Sequence, residues 1–253
     1  MTRIGILGAS GRMGQAVARA IETSAAELSG GADRAGTVGT IGGYPIGTDV
    51  GALAADCDVL VDFSAPAGMG AHLDAAVAAG VPILIGTTGL KPDDHRAIDH
   101  AAAAVPVLQT GNTSLGVTLL ARLVREAAKR LPDWDIEIVE AHHRVKVDAP
   151  SGTAQLLGQA AAAGRGEELG SLAEEGRAGL DCARTDGGIG FASVRGGTVV
   201  GDHTVHLLGE GERIELTHRA EDRAIFAAGA VKVALWLTRQ EPGRYTMGDM
   251  LDL

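Results

Sequence analysis

Between Glu140 and Ala154 the chain reads EAHHRVKVDAPSGTA, a run that sets two histidines, an arginine, a lysine and an aspartate before a Ser-Gly-Thr turn. Titratable groups at this density are costly to bury, so they must face solvent or a ligand. A histidine changes charge near neutral pH and can donate a proton, and a lysine can stabilise developing negative charge or donate in its turn. Hydride addition to an electron-poor carbon calls for such groups, because the atom that takes up the charge must then be protonated. If IEIVEAH is a strand, Glu140 and His142 share a face, and a period of two extends that face to Arg144, Lys146 and Asp148. Pro150 stops the extended run. Ser151 or Thr153 is then a helix N-cap, with Gly152 between them, and a helix N-terminus with a hydroxyl and a lysine nearby is an anion site suited to a carboxylate. As metal ligands the paired histidines lack a third partner at a recognisable spacing, so no metal is expected.

A second group of residues carries its chemistry by spacing alone. GASGRMG, Gly8 to Gly14, follows the apolar run RIGIL and opens a helical pattern. In that context Gly8 permits a tight turn, Gly11 lets a pyrophosphate approach the backbone, and Gly14 lets the helix pack closely. Asp33, in GGADRAG, stands where an acidic residue binds ribose hydroxyls, and Arg34 beside it can hold a 2′-phosphate. NADH and NADPH both fit. GTTG, Gly86 to Gly89, ends the fourth apolar run, where a cofactor lies against the carboxyl ends of parallel strands.

The elements that must position these groups can be read from periodicity. Strands are expected at Arg3 to Leu7, Glu27 to Ala32, Asp58 to Phe63, Pro82 to Gly86 and Val105 to Gln109, with helices at Met13 to Thr23, Met69 to Ala79 and Asp93 to Ala104 between them. Such alternation points to a parallel sheet covered on both faces. After Gly111 the character changes: a helix at Ser114 to Arg130, a strand at Trp134 to Glu140, and an exposed Gly-, Glu- and Arg-rich interval from Gly164 to Gly188. IGFASVR, TVVGDHTVHLLG and RIELTHRA then read as an antiparallel sheet, and a helix at Arg223 to Thr238 closes the pattern. The expected fold class is α/β, a Rossmann-like parallel-sheet domain plus a smaller α+β domain with a mixed, largely antiparallel sheet. The domain boundary falls near Gly111 to Ser114.

Composition narrows the partners. With 45% hydrophobic residues the chain can build a core, and a formal charge of -10 without a basic block argues against nucleic acid or acidic membranes. Two cysteines far apart, no run of eighteen apolar residues and no signal-peptide pattern lead to an expectation of a reduced, cytoplasmic setting. A dinucleotide-sensing protein without turnover, and a two-domain dehydrogenase acting on an amino acid or sugar, remain open on these features.

GASGRMG, GTTG and above all EAHHRVKVDAPSGTA resemble the 4-hydroxy-tetrahydrodipicolinate reductase (dihydrodipicolinate reductase) family of bacterial diaminopimelate and lysine biosynthesis. The resemblance continues through GFASVRGGTVVGDHTVHL, ERIELTHRA and RAIFAAGAVKVALWL. It implies that His142 is the proton donor assisted by Lys146, and that His143, Ser151, Gly152 and Thr153 hold the carboxylates of a cyclic dicarboxylate. It also implies that Gly8, Arg12 and Met13 lie in the cofactor loop and that Asp33 and Arg34 serve NADH or NADPH. Gly86, Thr88, Gly111, Asn112 and Ser114 would line the nicotinamide side. A homotetramer assembled through the second domain's sheet is implied, with the last helix, within 223–253, returning to a first domain of residues 1–113 and leaving 114–222 as the substrate domain. Thr113 stands where the family commonly has an aromatic residue.

Overall fold

In the computed structural model, which describes residues 1–253, the first part of the chain runs β1 (Thr2–Leu7), α1 (Arg12–Glu22), β2 (Ala26–Ala32), β3 (Thr40–Ile41), β4 (Tyr44–Gly47), α2 (Val50–Ala55), β5 (Val59–Asp62), α3 (Met69–Ala79), β6 (Ile83–Ile85), α4 (Pro92–Ala102) and β7 (Pro106–Gln109). It continues with α5 (Leu115–Arg130), β8 (Asp135–His142), α6 (Gly152–Arg165), α7 (Leu169–Leu172), β9 (Ala173–Glu175), β10 (Ile189–Arg195), β11 (Gly201–Gly209) and β12 (Glu212–Ala220). It ends with α8 (Ala224–Leu237), β13 (Gly243–Tyr245) and α9 (Met247–Met250). The chain divides into two compact units, Met1–Leu115 with Ala224–Leu253, and Gly116–Arg223. No helix is long and apolar enough to cross a membrane.

The first unit holds an eight-stranded sheet in the order β13-β7-β6-β5-β1-β2-β4-β3. All neighbours pair in parallel except the β3–β4 hairpin. Both faces are buried, which is why the strands read as continuous apolar runs. Ile4 and Ile6 of β1, Val59 and Val61 of β5 and Leu84 of β6 meet α1 and α8 on one face. Leu7, Leu60, Ile83 and Ile85 meet α3 and α4 on the other. The hairpin, α2, β13 and α9 are too short to leave a periodic signal in the sequence.

The second unit is built on a five-stranded sheet ordered β12-β11-β8-β10-β9. Here the expectation of three antiparallel runs needs correction. IGFASVR, as β10, pairs in parallel with β8 and also with β9, while β11 is antiparallel to β8 and β12. The reason is the connection: α6 carries the chain back between β8 and β10, and such a crossover delivers a parallel strand. Leu120, Val124 and Ala128 of α5, and Ala154, Leu157 and Ala161 of α6, pack with Ile136, Ile138, Val205 and Leu207 of the sheet in one core.

The interval from Gly164 to Gly188 is largely exposed but carries more order than its composition suggests. It includes the end of α6, α7 and the edge strand β9. Arg177 bridges Glu137 and Glu174, and Arg165 donates to the carbonyls of Trp134 and Gly187. Long cationic side chains thus replace a hydrophobic anchor.

Candidate active site

Every residue assigned to the cofactor half lies at the carboxyl edge of the parallel sheet. After β1 the chain turns at Gly8, whose φ is 76° and where an added Cβ would stand 2.5 Å from the Phe63 carbonyl oxygen. Only glycine adopts this conformation in this space without strain. At Gly14 a Cβ would come within 2.4 Å of the Gly8 carbonyl oxygen, so the glycine lets α1 start directly against the turn. Gly11 is the N-cap of α1, with no side-chain cap and no acidic residue in the first turn, which begins at Arg12 and Met13. A helix end in this state has amides and a dipole to offer a phosphate.

Asp33 follows β2 at the same edge and is tied to the loop. Its Oδ2 accepts from the Ser10 amide at 2.9 Å and the Ser10 hydroxyl at 2.6 Å, and its Oδ1 from the Arg34 amide at 2.8 Å. Partial burial by itself would raise the Asp33 pKa, but the hydrogen bonds from Ser10 and Arg34 prevail and hold it below the ordinary carboxylate value. Arg34 is exposed beside it. Gly86 and Thr88 follow β6, and Gly111, Asn112 and Ser114 follow β7. An added Cβ at Gly111 would stand 3.6 Å from the Thr88 Cγ2, and the Asn112 side chain accepts from the Ser114 amide at 2.8 Å, so the two turns adjoin. Thr113 is buried, its hydroxyl donating to the Phe226 carbonyl at 2.6 Å at the start of α8.

One group at this edge was not singled out in the sequence. Asp62, fully buried at the end of β5, accepts from the Ser64 amide at 2.8 Å and the Thr87 hydroxyl at 3.1 Å, and its Oδ2 lies 2.8 Å from the His72 Nδ1. It braces the GTTG turn from below. The second Asp of DVLVDF, set after three apolar residues and with a His ten positions on, was the only trace of it.

In the second unit β8, which leads into the 140–154 stretch, brings together groups from four segments: β8 itself, β10, β11 and the start of α6. Glu140 and His142 lie on the buried face of β8. Parallel register sets Ser193 opposite Glu140 and Arg195 opposite His142, and antiparallel register sets His203 opposite Glu140. Glu140 consequently accepts from Arg195 at 2.7 and 2.6 Å, Ser193 at 2.8 Å and the Ser151 amide at 3.2 Å, and its Oε2 lies 2.6 Å from the His142 Nδ1. Burial alone would raise its pKa, yet the hydrogen bonds from Arg195, Ser193 and His142 take it down to about 2. With Nδ1 committed to this carboxylate, the ring of His142 is oriented and its tautomer is set by that bond.

His203 packs edge-on against His142, with ring centroids 5.1 Å apart, and its Nε2 lies 2.9 Å from the Ser151 hydroxyl. Burial, then the neighbouring His142, pushes the His203 pKa down to about 4. Ser151 is the N-cap of α6 and accepts from the Ala154 amide at 3.1 Å; Gly152 and Thr153 open the helix, which has no acidic residue in its first turn.

The extension of the β8 face beyond His142 is a second correction. β8 ends there, because the His143 amide turns to the Val199 carbonyl at 2.8 Å and the Arg144 amide to Gly197 at 3.3 Å. The Lys146 amide then closes a turn on the His143 carbonyl at 3.1 Å. Lys146 pairs with Asp148, Nζ lying 2.8 Å from both carboxylate oxygens, rather than standing on the face of His142. The Asp148 carbonyl accepts from Arg195 at 2.7 Å, which ties this loop to the Glu140 network. Ser193, Arg195 and His203 were not singled out in the sequence. They arrive from separate strands, and only the alternating polar positions of GFASVR and DHTVH hinted at them.

An open parallel sheet with a glycine turn between its first strand and first helix defines a dinucleotide-binding fold of the dehydrogenase type. The family model described as dihydrodipicolinate reductase, N-terminus, matches residues 2–113, and the one described as dihydrodipicolinate reductase, C-terminus, matches 116–251. The chain belongs to this family. It is 53% identical to the 4-hydroxy-tetrahydrodipicolinate reductase of Zymomonas mobilis over 252 residues, covering 99% of this chain and 97% of that one. It is 51% identical to the enzyme of the same name from Rhodopseudomonas palustris, with the same coverage. Among solved structures, a dipicolinate-bound dihydrodipicolinate reductase from Paenisporosarcina has the same fold, with a TM-score of 0.80 at 23% identity over 97% of each chain. A more distant likeness is a diaminopimelate (DAP) dehydrogenase of C. glutamicum, with a TM-score of 0.59 at 16% identity over 97% of this chain and 92% of that one.

Proposed function

We propose that this chain catalyses the NAD(P)H-dependent reduction of 4-hydroxy-tetrahydrodipicolinate to tetrahydrodipicolinate in bacterial diaminopimelate and lysine synthesis. The observation that carries the reading is the Glu140–His142 pair set beside the Ser151 N-cap of α6, in a chain about half identical to reductases of that name. The first unit, Met1–Leu115 with Ala224–Leu253, holds the dinucleotide. Gly8, Gly11, Arg12 and Met13 hold the pyrophosphate, Asp33 and Arg34 the adenosine ribose or its 2′-phosphate, and Gly86, Thr88, Gly111, Asn112 and Ser114 the nicotinamide side. Bound there, the cofactor would supply hydride to C4 of the cyclic, unsaturated dicarboxylate left when the 4-hydroxyl of the substrate departs as water.

The second unit, Gly116–Arg223, holds that substrate. The N-terminal turn of α6, at Ser151, Gly152 and Thr153, and the imidazole of His143 take its carboxylates. His142 delivers the proton from Nε2 to the atom that receives the negative charge, with Nδ1 anchored on Glu140. Lys146, held by Asp148 in the loop above, supports the transfer by its charge. Subunits associate through the sheet of the second unit into a homotetramer, and the enzyme works in the cytoplasm.

The test is to mix purified protein with the product of a dihydrodipicolinate synthase reaction and follow loss of reduced-nicotinamide absorbance with NADH and NADPH separately. Rapid oxidation is expected. Binding of both nucleotides without oxidation would shift the assignment to a sensing protein or another substrate.

A further inference from the structure

His143 presents a feature that its role as a ligand for substrate does not explain. Its Nε2 lies 2.7 Å from the Nη2 of Arg223, the last residue of the second unit. Its Nδ1 is buried and has no hydrogen-bond partner. A guanidinium carries donors only, so Nε2 must accept from it, and the proton of a neutral imidazole is then forced onto Nδ1. Burial, and next the Arg223 charge, hold the His143 pKa below the ordinary histidine value, in keeping with a neutral ring.

His143 and Arg223 line a cavity of about 420 Å³ together with Arg144, Val145, Gly197 and Thr198. Its lining contains two arginines and no carboxylate, so it favours an anion. A buried N–H without an acceptor is destabilising, so the tautomer must be held by the partner at the other nitrogen. We propose that Arg223 is a positioning residue: by donating to Nε2 it locks His143 as the neutral Nδ1–H tautomer and fixes the ring at the rim of the cavity. That His143 meets a carboxylate of the reductase substrate rests on the function proposed above; the tautomer does not.

The test separates the two. In the holoprotein labelled with [15N]histidine, long-range 1H–15N correlations distinguish the tautomers, and His143→Gln identifies the His143 signals. Wild type is expected to show a protonated Nδ1 and a bare Nε2, and Arg223→Met to move the ring to the other tautomer or an average of both. A wild-type ring protonated on Nε2, or a pattern unchanged in Arg223→Met, would overturn the proposal. Calorimetric titration with dipicolinate gives the second readout. Arg223→Met should weaken it by about tenfold or more, Arg223→Lys should restore part of the loss, and nucleotide affinity should stay within about twofold. Weakened dipicolinate with an unchanged tautomer would show Arg223 acting by charge alone and sink the positioning role. A wild type with the Nδ1–H pattern that binds no dipicolinate would count against the reductase reading while leaving the tautomer assignment supported.

Discussion

At Gly8–Gly14 the chain offers its backbone: a left-handed turn, a helix start without a side-chain cap, and amides for a phosphate. At Glu140–Ser151 it offers side chains, with Glu140 at the centre of hydrogen bonds from Arg195, Ser193, His142 and the Ser151 amide. The contrast follows from the ligands assigned to each. A pyrophosphate needs only close approach and positive potential, which glycines and a helix dipole supply locally. Protonating a reduced substrate needs one histidine in one orientation, and in a buried setting that takes a counter-charge and several donors to keep the counter-charge ionised.

Substitutions should therefore act differently in the two regions. The largest effect is expected at His142. His142→Gln should lower kcat by about 10²- to 10⁴-fold while nucleotide Kd is unchanged, measured by steady-state kinetics and nucleotide titration; near-normal kcat would remove the side-chain region from the chemistry. Glu140→Gln leaves Arg195 without its ionic partner and should destabilise the protein by about 3 kcal/mol in urea denaturation, besides freeing the His142 ring.

Acid should act on the same network. The folded pKa of His203 is about 4 against an ordinary 6.5, so its contribution to stability is complete above pH 6.5 and is lost as pH falls toward 4, because the unfolded chain takes up the proton first. Glu140, at about 2 against 4.5, adds a second loss between those values. Stability from urea denaturation should fall from pH 7 to pH 5 in wild type and fall less in His203→Gln, a difference of about 2 kcal/mol.

In the backbone region, Gly8→Ala should cost about 1–3 kcal/mol through strain and raise the nucleotide Kd, with substrate affinity spared. The smallest change is expected for Arg34→Ala. It should weaken NADPH by about tenfold while leaving NADH nearly untouched, sharpening the comparison by showing which cofactor the loop prefers.

How much of this was legible in the sequence differs between the regions for the same reason. The β1–loop–α1 segment is contiguous, and its strand, glycines and helix lie within a few residues of their expected bounds. The parallel sheet was legible because Ile4, Ile6 and Leu7, or Val59, Leu60 and Val61, are apolar on both faces. The neighbours of Glu140 were not legible. Arg195 and His203 are more than fifty residues away along the chain and reach it only through the parallel β8–β10 and antiparallel β8–β11 registers. The pairing of Lys146 with Asp148, where a continued strand would have set both on the His142 face, was decided by backbone hydrogen bonds from His143 and Arg144 to Val199 and Gly197.

By itself the sequence determined what local stereochemistry determines: where glycine must stand in a turn, which stretches alternate between strand and helix, and that titratable groups crowd at 140–148. The tertiary structure alone decided which of those groups are paired, and so which atoms they leave for a ligand. Hydrogen bonds act over about 3 Å, and only the registers of the folded sheet bring Arg195, Ser193 and His203 within that distance of the Glu140 and Ser151 side chains.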